Sequence, residues 1–176
     1  MTAVPELRTE RLLLRPFQPE DVADGLAYRN DPEFARFLPH IPQPFTRQDA
    51  ETWVWVNMTE SPQCSVTFAV VLGSTVIGTT NIERAPQERI AMLGYAIGRK
   101  WWGKGIATEA ARAVVAWASV EFRLSRLWAS TDVHNLPSQR VLEKLGMHRE
   151  SLRVAQHLDR TGQPVDEVVY QLSIAG

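Results

Sequence analysis

The sequence predicts one α/β domain of the α+β kind, spanning residues 1–176, with helices packed around a mostly antiparallel sheet. The chain has 176 residues, of which 44% are apolar, so it can bury one substantial core. Its apolar runs follow a definite order: a strand, two helices, three strands, a helix, a strand, a helix and two strands. The short turns between the three consecutive strands are typical of hairpins, which predicts antiparallel neighbours there.

The first part of the chain supplies one strand and two helices. RLLLRPF at Arg11–Phe17 is a short apolar strand, and a helix follows where acidic residues adjoin Pro19. Three prolines between residues 39 and 44 make the next segment a loop. Thr46 is expected to cap a second helix over TRQDAETWVWVNM, because its hydroxyl can accept a hydrogen bond from the first turn. The charges from Arg8 to Arg11 are interpreted as ordinary surface.

The rest of the chain alternates strands with two further helices. SVTFAVVL, STVIGTTNIER and IAMLGYAIG are predicted strands, with turns at Leu72–Ser74 and Ala85–Arg89. Apolar positions at helical spacing over Lys104–Phe122 predict the best-defined helix. RLWASTD is a strand, NLPSQRVLEKLG is a helix begun by Asn135 and ended by Gly146, and two last strands flank the turn DRTGQP.

Composition excludes several classes of function. The net charge of −1 provides no field that would attract nucleic acid or an anionic membrane, so we expect neither as a partner. The single cysteine, Cys64, excludes an internal disulfide and a multi-cysteine zinc site, and no metal is implied. No segment approaches the roughly 20 apolar residues of a membrane span, and the charged N-terminus lacks the apolar centre of a signal peptide. We therefore expect a cytoplasmic protein.

GRKWWGKG, at Gly98–Gly105, is one residue short of the phosphate-binding loop G-x-x-x-x-G-K-[ST], because Gly105 replaces the magnesium-binding hydroxyl. Its glycines let the backbone approach a ligand, the following helix presents unpaired N–H groups, and Lys100 and Lys104 add positive charge. The loop thus favours a phosphate that is bound and left uncleaved. A plain glycine-rich turn is the alternative. ATP hydrolysis is disfavoured, since such loops usually follow an early parallel strand, and this one follows a meander.

IGRKWWGKGIATEA resembles motif A of the GNAT superfamily of N-acetyltransferases and is most similar to its Rim-type branch, the ribosomal-protein-alanine N-acetyltransferases. Other segments fall in the family order: TERLLLRPFQPED, VIGTTNI, GYAI, HNLPSQRVLEKLGM and GQPVDEVVYQL. The resemblance implies a mixed, mostly antiparallel seven-stranded sheet flanked by about four helices, whose fourth and fifth strands splay apart after a bulge. It also implies acetyl-CoA as cofactor, with its pyrophosphate on the loop amides and its pantetheine arm between the splayed strands.

The resemblance assigns cofactor binding to the loop, the end of the strand before it and the start of a later helix. A backbone N–H near Ile97 is expected to polarise the acetyl carbonyl, and Trp102 to pack beneath the loop. The full set of expected cofactor-binding residues is Ile97, Gly98, Lys100, Trp101, Trp102, Gly103, Lys104, Gly105, Ile106, Ala107, Asn135 and Ser138.

Two residues that many relatives use in catalysis are missing. Met92 stands where a glutamate base is common, and Leu142 lies in the stretch that often carries a proton-donating tyrosine. Ser138 matches the Rim-type serine, which would protonate the departing thiolate, although a serine there could instead cap its helix. His157 is the candidate base, since imidazole titrates in the useful range, and Glu83 is the alternative carboxylate.

The expected reaction is acetyl transfer from acetyl-CoA to a primary amine by direct attack in a ternary complex, with coenzyme A as the second product. A protein or peptide N-terminus is the favoured acceptor, because an α-amine titrates near 8 and roughly a tenth of it is uncharged at neutral pH. A small amine or antibiotic is an alternative acceptor. The missing glutamate and tyrosine keep a non-catalytic acyl-CoA-binding module open. Family members often dimerise, and the sequence does not decide whether this chain forms a homodimer.

Overall fold

The structure is a computed structural model that describes residues 4–85 and 88–174. The described residues form eight strands and four α-helices, and 3-10 turns at Pro19–Asp21 and Arg99–Trp101 precede the first and third helices. In chain order the elements are β1 Leu7–Arg8, β2 Leu12–Arg15, α1 Val22–Arg29, α2 Arg47–Thr59, β3 Ser65–Leu72, β4 Thr75–Arg84, β5 Ile90–Ile97, α3 Ile106–Glu121, β6 Arg126–Asp132, α4 Leu136–Lys144, β7 His148–Leu158 and β8 Pro164–Ser173.

The predicted order of elements is confirmed. β3 and β6 coincide with the predicted runs SVTFAVVL and RLWASTD. The predicted first strand is shorter than expected, and it pairs with the two-residue β1, which adds an eighth strand to the seven predicted. The predicted fourth and fifth strands are therefore β5 and β6. Of the predicted turn before β5, Pro86 and Gln87 lie outside the described residues.

The sheet has the order β1-β2-β3-β4-β5-β6-β8-β7, and its one parallel pairing among the described residues joins β5 to β6. The parallel pairing of β5 with β6 extends over three residue pairs, the last of which is Met92–Trp128. Beyond Met92, β5 stays paired with β4 as far as Ile97, whereas β6 stays paired with β8 as far as Asp132. The two strands therefore separate toward their carboxyl ends, which confirms the predicted splay.

The bulge that the resemblance implies at the splay is not seen in the described part of β5. The β4–β5 register runs without a shift from the pair Gly78–Ile97 to the pair Arg84–Ala91. β5 therefore follows β4 throughout, while β6 pairs along its whole length with β8. The gap opens because the two strands belong to different antiparallel partners, and no irregularity in β5 is needed.

Two apolar layers cover the two faces of the sheet. On one face, α3 and α4 pack against fully buried strand side chains such as Phe68, Ile82 and Leu127. On the other face, α1, α2 and the loop between them cover β3 and β4 through residues such as Ala69 and Val76. No helix among the described residues is long and apolar enough to cross a membrane.

Local side chains explain where two of the helices begin. The Thr46 hydroxyl accepts a hydrogen bond from the Asp49 N–H, and the Asp49 carboxylate accepts one from the Thr46 N–H, so the predicted cap of α2 is confirmed. At the start of α4, Asn135 Oδ1 accepts a hydrogen bond of 3.2 Å from the Ser138 N–H. Gly146 follows α4 with a φ of +83°, which confirms the predicted glycine stop.

Candidate active site

The loop between β5 and α3 is shaped by two glycines in left-handed backbone conformations. Gly103 and Gly105 have φ values of +73° and +76°, which a side chain with a Cβ rarely adopts. No described atom lies within 4 Å of the Cβ position at Gly103, and the nearest atom at Gly105 is Arg11 Nη2, at 3.5 Å. Both glycines are exposed. The outer surface of the loop is therefore bare backbone that a ligand can approach closely.

Gly98 begins the loop at a position that has no room for a side chain. A Cβ at Gly98 would lie 2.9 Å from the Trp101 ring and 2.9 Å from the Tyr28 Cβ atom. The half-buried Trp101 packs against both apolar layers, so it anchors the loop from below. The end of β5 is thereby held against the end of α1.

The prediction that Trp102 packs beneath the loop is wrong. Trp102 is 46% exposed, and its indole N–H donates a 2.5 Å hydrogen bond to the Ile97 carbonyl. The physical reason is the 3-10 turn over Arg99–Trp101, after which Trp102 leaves the turn in an extended conformation. The inner place is taken by Trp101, and Trp102 lies along the outside of the strand end.

The start of α3 adds unpaired backbone donors behind the glycines. Gly105 is the N-cap of this 16-residue helix and provides no side-chain cap. The N–H groups of the first turn, which include those of Ile106 and Ala107, have no partner within the helix. Together with the helix dipole, they favour a negative group at this end. Lys100 and Lys104 are exposed beside it.

Arg11 and Glu109 hold the loop in place, so the interpretation of Arg8 to Arg11 as ordinary surface is wrong at Arg11. Arg11 Nη1 donates to the Lys104 carbonyl at 2.9 Å, and its Nε and Nη2 lie 2.7 and 2.6 Å from Glu109 Oε2. Glu109 Oε1 accepts from the Thr9 hydroxyl at 2.6 Å and from the Arg11 N–H at 2.9 Å. The opposite charges of Arg11 in TERLLLR and Glu109 in ATEA were the feature of the sequence that could have indicated this contact.

The Glu109 carboxylate is ionised more readily than an ordinary glutamate. Partial burial raises its pKa, but the hydrogen bonds from Thr9 and Arg11 and the positive charge of Arg11 outweigh that effect, so the net pKa is lowered. The carboxylate and its four donors therefore stay joined at neutral pH and connect the β1–β2 turn to the first turn of α3.

Ser138 lies across the splay from Tyr95 of β5, a residue that the sequence analysis did not select. Tyr95 Oη is 2.8 Å from Ser138 Oγ and 3.0 Å from the Ser138 carbonyl oxygen. Asn135 caps α4 and the Ser138 N–H is the donor that it satisfies, so Ser138 is not the cap. Its hydroxyl is thus available for another role. Leu142 is only 1% exposed and belongs to the core.

The two candidate bases lie in surroundings different from that of Ser138. His157 is partly buried, and its Nδ1 lies 3.3 Å from Glu167 Oε1. Glu83 is exposed on β4, where it accepts a 2.9 Å hydrogen bond from the Asn81 amide and lies opposite Met92 in the strand register. Among the hydrogen bonds and ion pairs of residues 4–85 and 88–174, none joins any two of Glu83, Ser138 and His157.

An open cavity of about 500 Å³ lies beside the point where β5 and β6 separate. Met92 and Trp128, the last pair before the splay, both line it. Glu83 is the one candidate catalytic residue among its lining residues in the described part of the chain. The full lining is Glu60, Cys64, Ser65, Glu83, Arg84, Ala85, Glu88, Ile90, Met92 and Trp128.

Known proteins resemble this chain over most of its length. Residues 11–148 match the family described as the acetyltransferase (GNAT) domain. The uncharacterized N-acetyltransferase p20 of Bacillus licheniformis is 29% identical over 169 residues, which cover 94% of each chain. The ribosomal protein uS5-alanine N-acetyltransferase of Escherichia coli is 31% identical over 100 residues, which cover 56% of this chain and 51% of the relative.

Solved structures share the fold. A GNAT-family acetyltransferase from Bacillus anthracis superimposes with a TM-score of 0.84 at 28% identity, covering 96% of this chain and 98% of the other. RimL, a ribosomal L7/L12 alpha-N-protein acetyltransferase crystallised with coenzyme A, gives a TM-score of 0.86 over 97% and 98% of the two chains. At 18% identity, that second likeness concerns the fold alone. Loop, splay and family match agree, and the chain belongs to the GNAT family of N-acetyltransferases, with Rim-type ribosomal-protein acetyltransferases among its relatives.

Proposed function

We propose that the protein transfers the acetyl group of acetyl-CoA to the α-amine of a protein or peptide N-terminus. The observation that carries this proposal is the position of the bare glycine loop, which follows β5 on the side where β5 leaves β6 after Met92. An anion-binding loop at the mouth of a gap between strands is suited to a long ligand with a phosphate end. A nucleotide alone would not need the gap.

The residues of the loop fit the pyrophosphate of acetyl-CoA. Gly103 and Gly105 offer backbone without side chains, and the N–H groups of Ile106 and Ala107 point from an uncapped helix start. The edge of β5 beyond Met92 has no described strand partner on the β6 side, so its backbone groups can bind an extended arm. Acetyl-CoA, when bound, supplies a thioester carbonyl that an uncharged amine can attack.

The remaining polar residues can take the proton-transfer and positioning roles. Ser138 would donate its hydroxyl hydrogen bond to the departing sulfur, and Asn135 would orient the start of α4. The partly open end of β5 supports the expectation that a backbone N–H near Ile97 polarises the acetyl oxygen. Each role requires a hydrogen-bond donor, which the Ser138 hydroxyl and the backbone near Ile97 supply.

Two residues remain candidates for the base. Glu83 is directly across from Met92, the position where relatives carry a glutamate, so a carboxylate is available from the neighbouring strand, and it lines the cavity. His157 has Glu167 Oε1 3.3 Å from its Nδ1, so a carboxylate lies beside an imidazole that can take a proton. Comparison of Glu83→Gln with His157→Gln separates the two candidates. The variant that lacks the base should have a kcat about 10²-fold or more below that of the native protein.

An α-amine suits a site with a weak or distant base. Its pKa near 8 leaves roughly a tenth uncharged at neutral pH, whereas a lysine amine, with a pKa near 10.4, is almost wholly charged. The relative from Escherichia coli, which is named as an alanine N-acetyltransferase of ribosomal protein uS5, supports a protein as acceptor.

The test is a panel of amines assayed with acetyl-CoA by release of the free thiol. It includes peptides with a free N-terminus, the same peptides with a blocked N-terminus and an internal lysine, polyamines and aminoglycosides. We expect the free N-terminal peptides to give the highest kcat/KM and the blocked peptides to give none above background. Turnover confined to polyamines or aminoglycosides would contradict the proposed N-terminal acceptor and identify a small amine as the acceptor. Binding of acetyl-CoA without turnover of any amine would identify a binding module.

A further inference from the structure

Tyr95 bridges the gap between β5 and α4. It lies in the part of β5 beyond Met92, where β6 no longer accompanies the strand, and its ring packs against the apolar layer under α3 and α4. From there its hydroxyl oxygen comes within 2.8 Å of Ser138 Oγ and 3.0 Å of the Ser138 carbonyl oxygen. A second hydroxyl, carried by β5, therefore contacts the hydroxyl of Ser138.

The Tyr95–Ser138 contact can be made in two ways, which differ in where the two hydroxyl hydrogens point. A phenol and a serine hydroxyl each carry one hydrogen. If Tyr95 donates to the Ser138 carbonyl, the serine hydrogen is used in a bond back to the phenol oxygen. If Tyr95 donates to Ser138 Oγ, the serine hydrogen is free to point elsewhere. A thiolate is charged and is a stronger acceptor than a phenol oxygen, so a sulfur leaving beside Ser138 favours the second arrangement.

The surroundings keep both partners suited to this second arrangement. The Ser138 N–H bond to Asn135 holds the backbone of Ser138, and the Tyr95 hydroxyl contacts its Oγ. Burial raises the pKa of Tyr95, an effect that its bond to Ser138 opposes only in part, so the phenol stays protonated and remains a donor at neutral pH. A charged phenolate would instead repel the thiolate.

We propose that Tyr95 is a positioning residue that directs the Ser138 hydroxyl hydrogen toward the sulfur of coenzyme A. This inference rests on the proposed acetyl transfer. The amine nitrogen forms a bond to the thioester carbonyl carbon, and its surplus proton passes to the base or to water. When the carbon–sulfur bond breaks, its electron pair stays on sulfur and the Ser138 hydroxyl stabilises that charge through its hydrogen bond. Tyr95 donates to Ser138 Oγ throughout and loses no proton. The proton that completes the thiol comes from water.

The first test compares Tyr95→Phe with Tyr170→Phe. Tyr170 is the matched control, because its hydroxyl also reaches α4, with Glu143 Oε1 at 3.3 Å and Gln139 Oε1 at 3.4 Å, but it does not contact Ser138. We expect Tyr95→Phe to lower kcat by about 10- to 100-fold while KM for acetyl-CoA changes less than about 3-fold. The Ser138→Ala/Tyr95→Phe double variant should be no slower than Ser138→Ala alone.

A binding measurement tests the same idea without any acceptor amine. The thiol of bound coenzyme A can be titrated through the ultraviolet absorbance of its thiolate. A hydroxyl that donates to sulfur favours the charged form, so the pKa of the bound thiol should be lower in the native protein than in Tyr95→Phe or Ser138→Ala. Tyr170→Phe should match the native protein.

The outcomes separate this inference from the proposed function. If no amine is acetylated, the proposed function fails, and the thiol titration still tests Tyr95. Equal thiol pKa values in native and Tyr95→Phe proteins, or equal slowing by Tyr170→Phe, would overturn the positioning role. If Tyr95→Phe does not fold, ring resonances of Tyr95 in the native protein can be compared by NMR between complexes with coenzyme A and desulfo-coenzyme A. Identical shifts would contradict the proposal.

Discussion

Ser138 illustrates how one hydrogen bond decides between two roles for the same residue. Its sequence context, N-x-x-S at a helix start, suits either a cap or a catalyst. In the structure the cap is Asn135, and the Ser138 hydroxyl instead meets Tyr95 at 2.8 Å. The contact joins residues that are 43 positions apart, so no local pattern could have indicated it.

Ser138→Ala should slow the reaction without destabilising the helix. Because the hydroxyl is not the cap, we expect single-turnover thiol release to fall by about 10- to 1,000-fold, with acetyl-CoA affinity nearly unchanged. Asn135→Ala is the control for capping and should cost about 1 kcal/mol of stability, measured by urea denaturation. A Ser138→Ala protein that loses comparable stability and keeps its turnover would show that the serine is structural.

Gly103→Val and Gly105→Val should each abolish acetyl-CoA binding in a folded protein. Valine would place a branched side chain on the exposed loop surface and strain a backbone with φ above +70°. Gly73→Val is the matched control, since Gly73 also has a positive φ, +64°, with open space around it, but lies in the β3–β4 turn. Calorimetric titration with acetyl-CoA checks this, and equal affinity in all three variants would refute the site.

At the scale of elements, the sequence predicted what depends on periodicity and capping. The strands β3 to β6, the helix α3 and the caps Thr46 and Asn135 follow from local patterns. Trp102 was misplaced because the rotation of a side chain after a 3-10 turn depends on tertiary packing. Arg11 was missed for a similar reason, since its partner Glu109 lies 98 residues away.

The Arg11–Glu109 contact predicts a pH dependence of stability. The pKa of Glu109 is lowered in the folded protein relative to its ordinary value of 4.5, so ionised Glu109 stabilises the fold above that value. This contribution is lost as the pH falls from about 4.5 through the folded-state pKa. Urea denaturation should therefore show a smaller loss of stability over this range in Glu109→Gln than in the native protein.

Glu121→Gln, an exposed change at the other end of α3, is the control for that measurement. It should follow the native protein across the same pH range. If Glu109→Gln also follows the native curve, the carboxylate does not connect the β1–β2 turn to α3 in solution.

At the scale of the whole molecule, the order of strands and helices and the resemblance to the GNAT family together predicted the fold. Hairpin-like spacing indicated the antiparallel meander, and the resemblance implied the parallel pair. The sequence did not show that the splay arises from two strands with different partners, because register is set by the complete sheet. Nor did it reveal the cavity, whose lining comes from the C-cap of α2 and from four strands together with adjoining loop residues.

Acetyl-CoA should stabilise the whole protein, because the loop and the splayed strands, which we propose as its binding site, exist only in the folded state. At 100 times its dissociation constant a ligand adds about 2.7 kcal/mol to the free energy of unfolding. We expect acetyl-CoA to raise Tm in a thermal-shift experiment and Mg-ATP to leave it unchanged. A rise with Mg-ATP and none with acetyl-CoA would contradict the assignment of the loop.

The most direct test of the central claim is to locate the transferred acetyl group. The protein is incubated with acetyl-CoA and a peptide that carries both a free N-terminal alanine and an internal lysine, and fragment-ion mass spectrometry identifies the modified nitrogen. We predict acetylation of the α-amine by the native protein, and none above background with Gly103→Val. Acetylation confined to the lysine, or an unmodified peptide despite bound acetyl-CoA, would contradict the proposed transfer to an N-terminal α-amine.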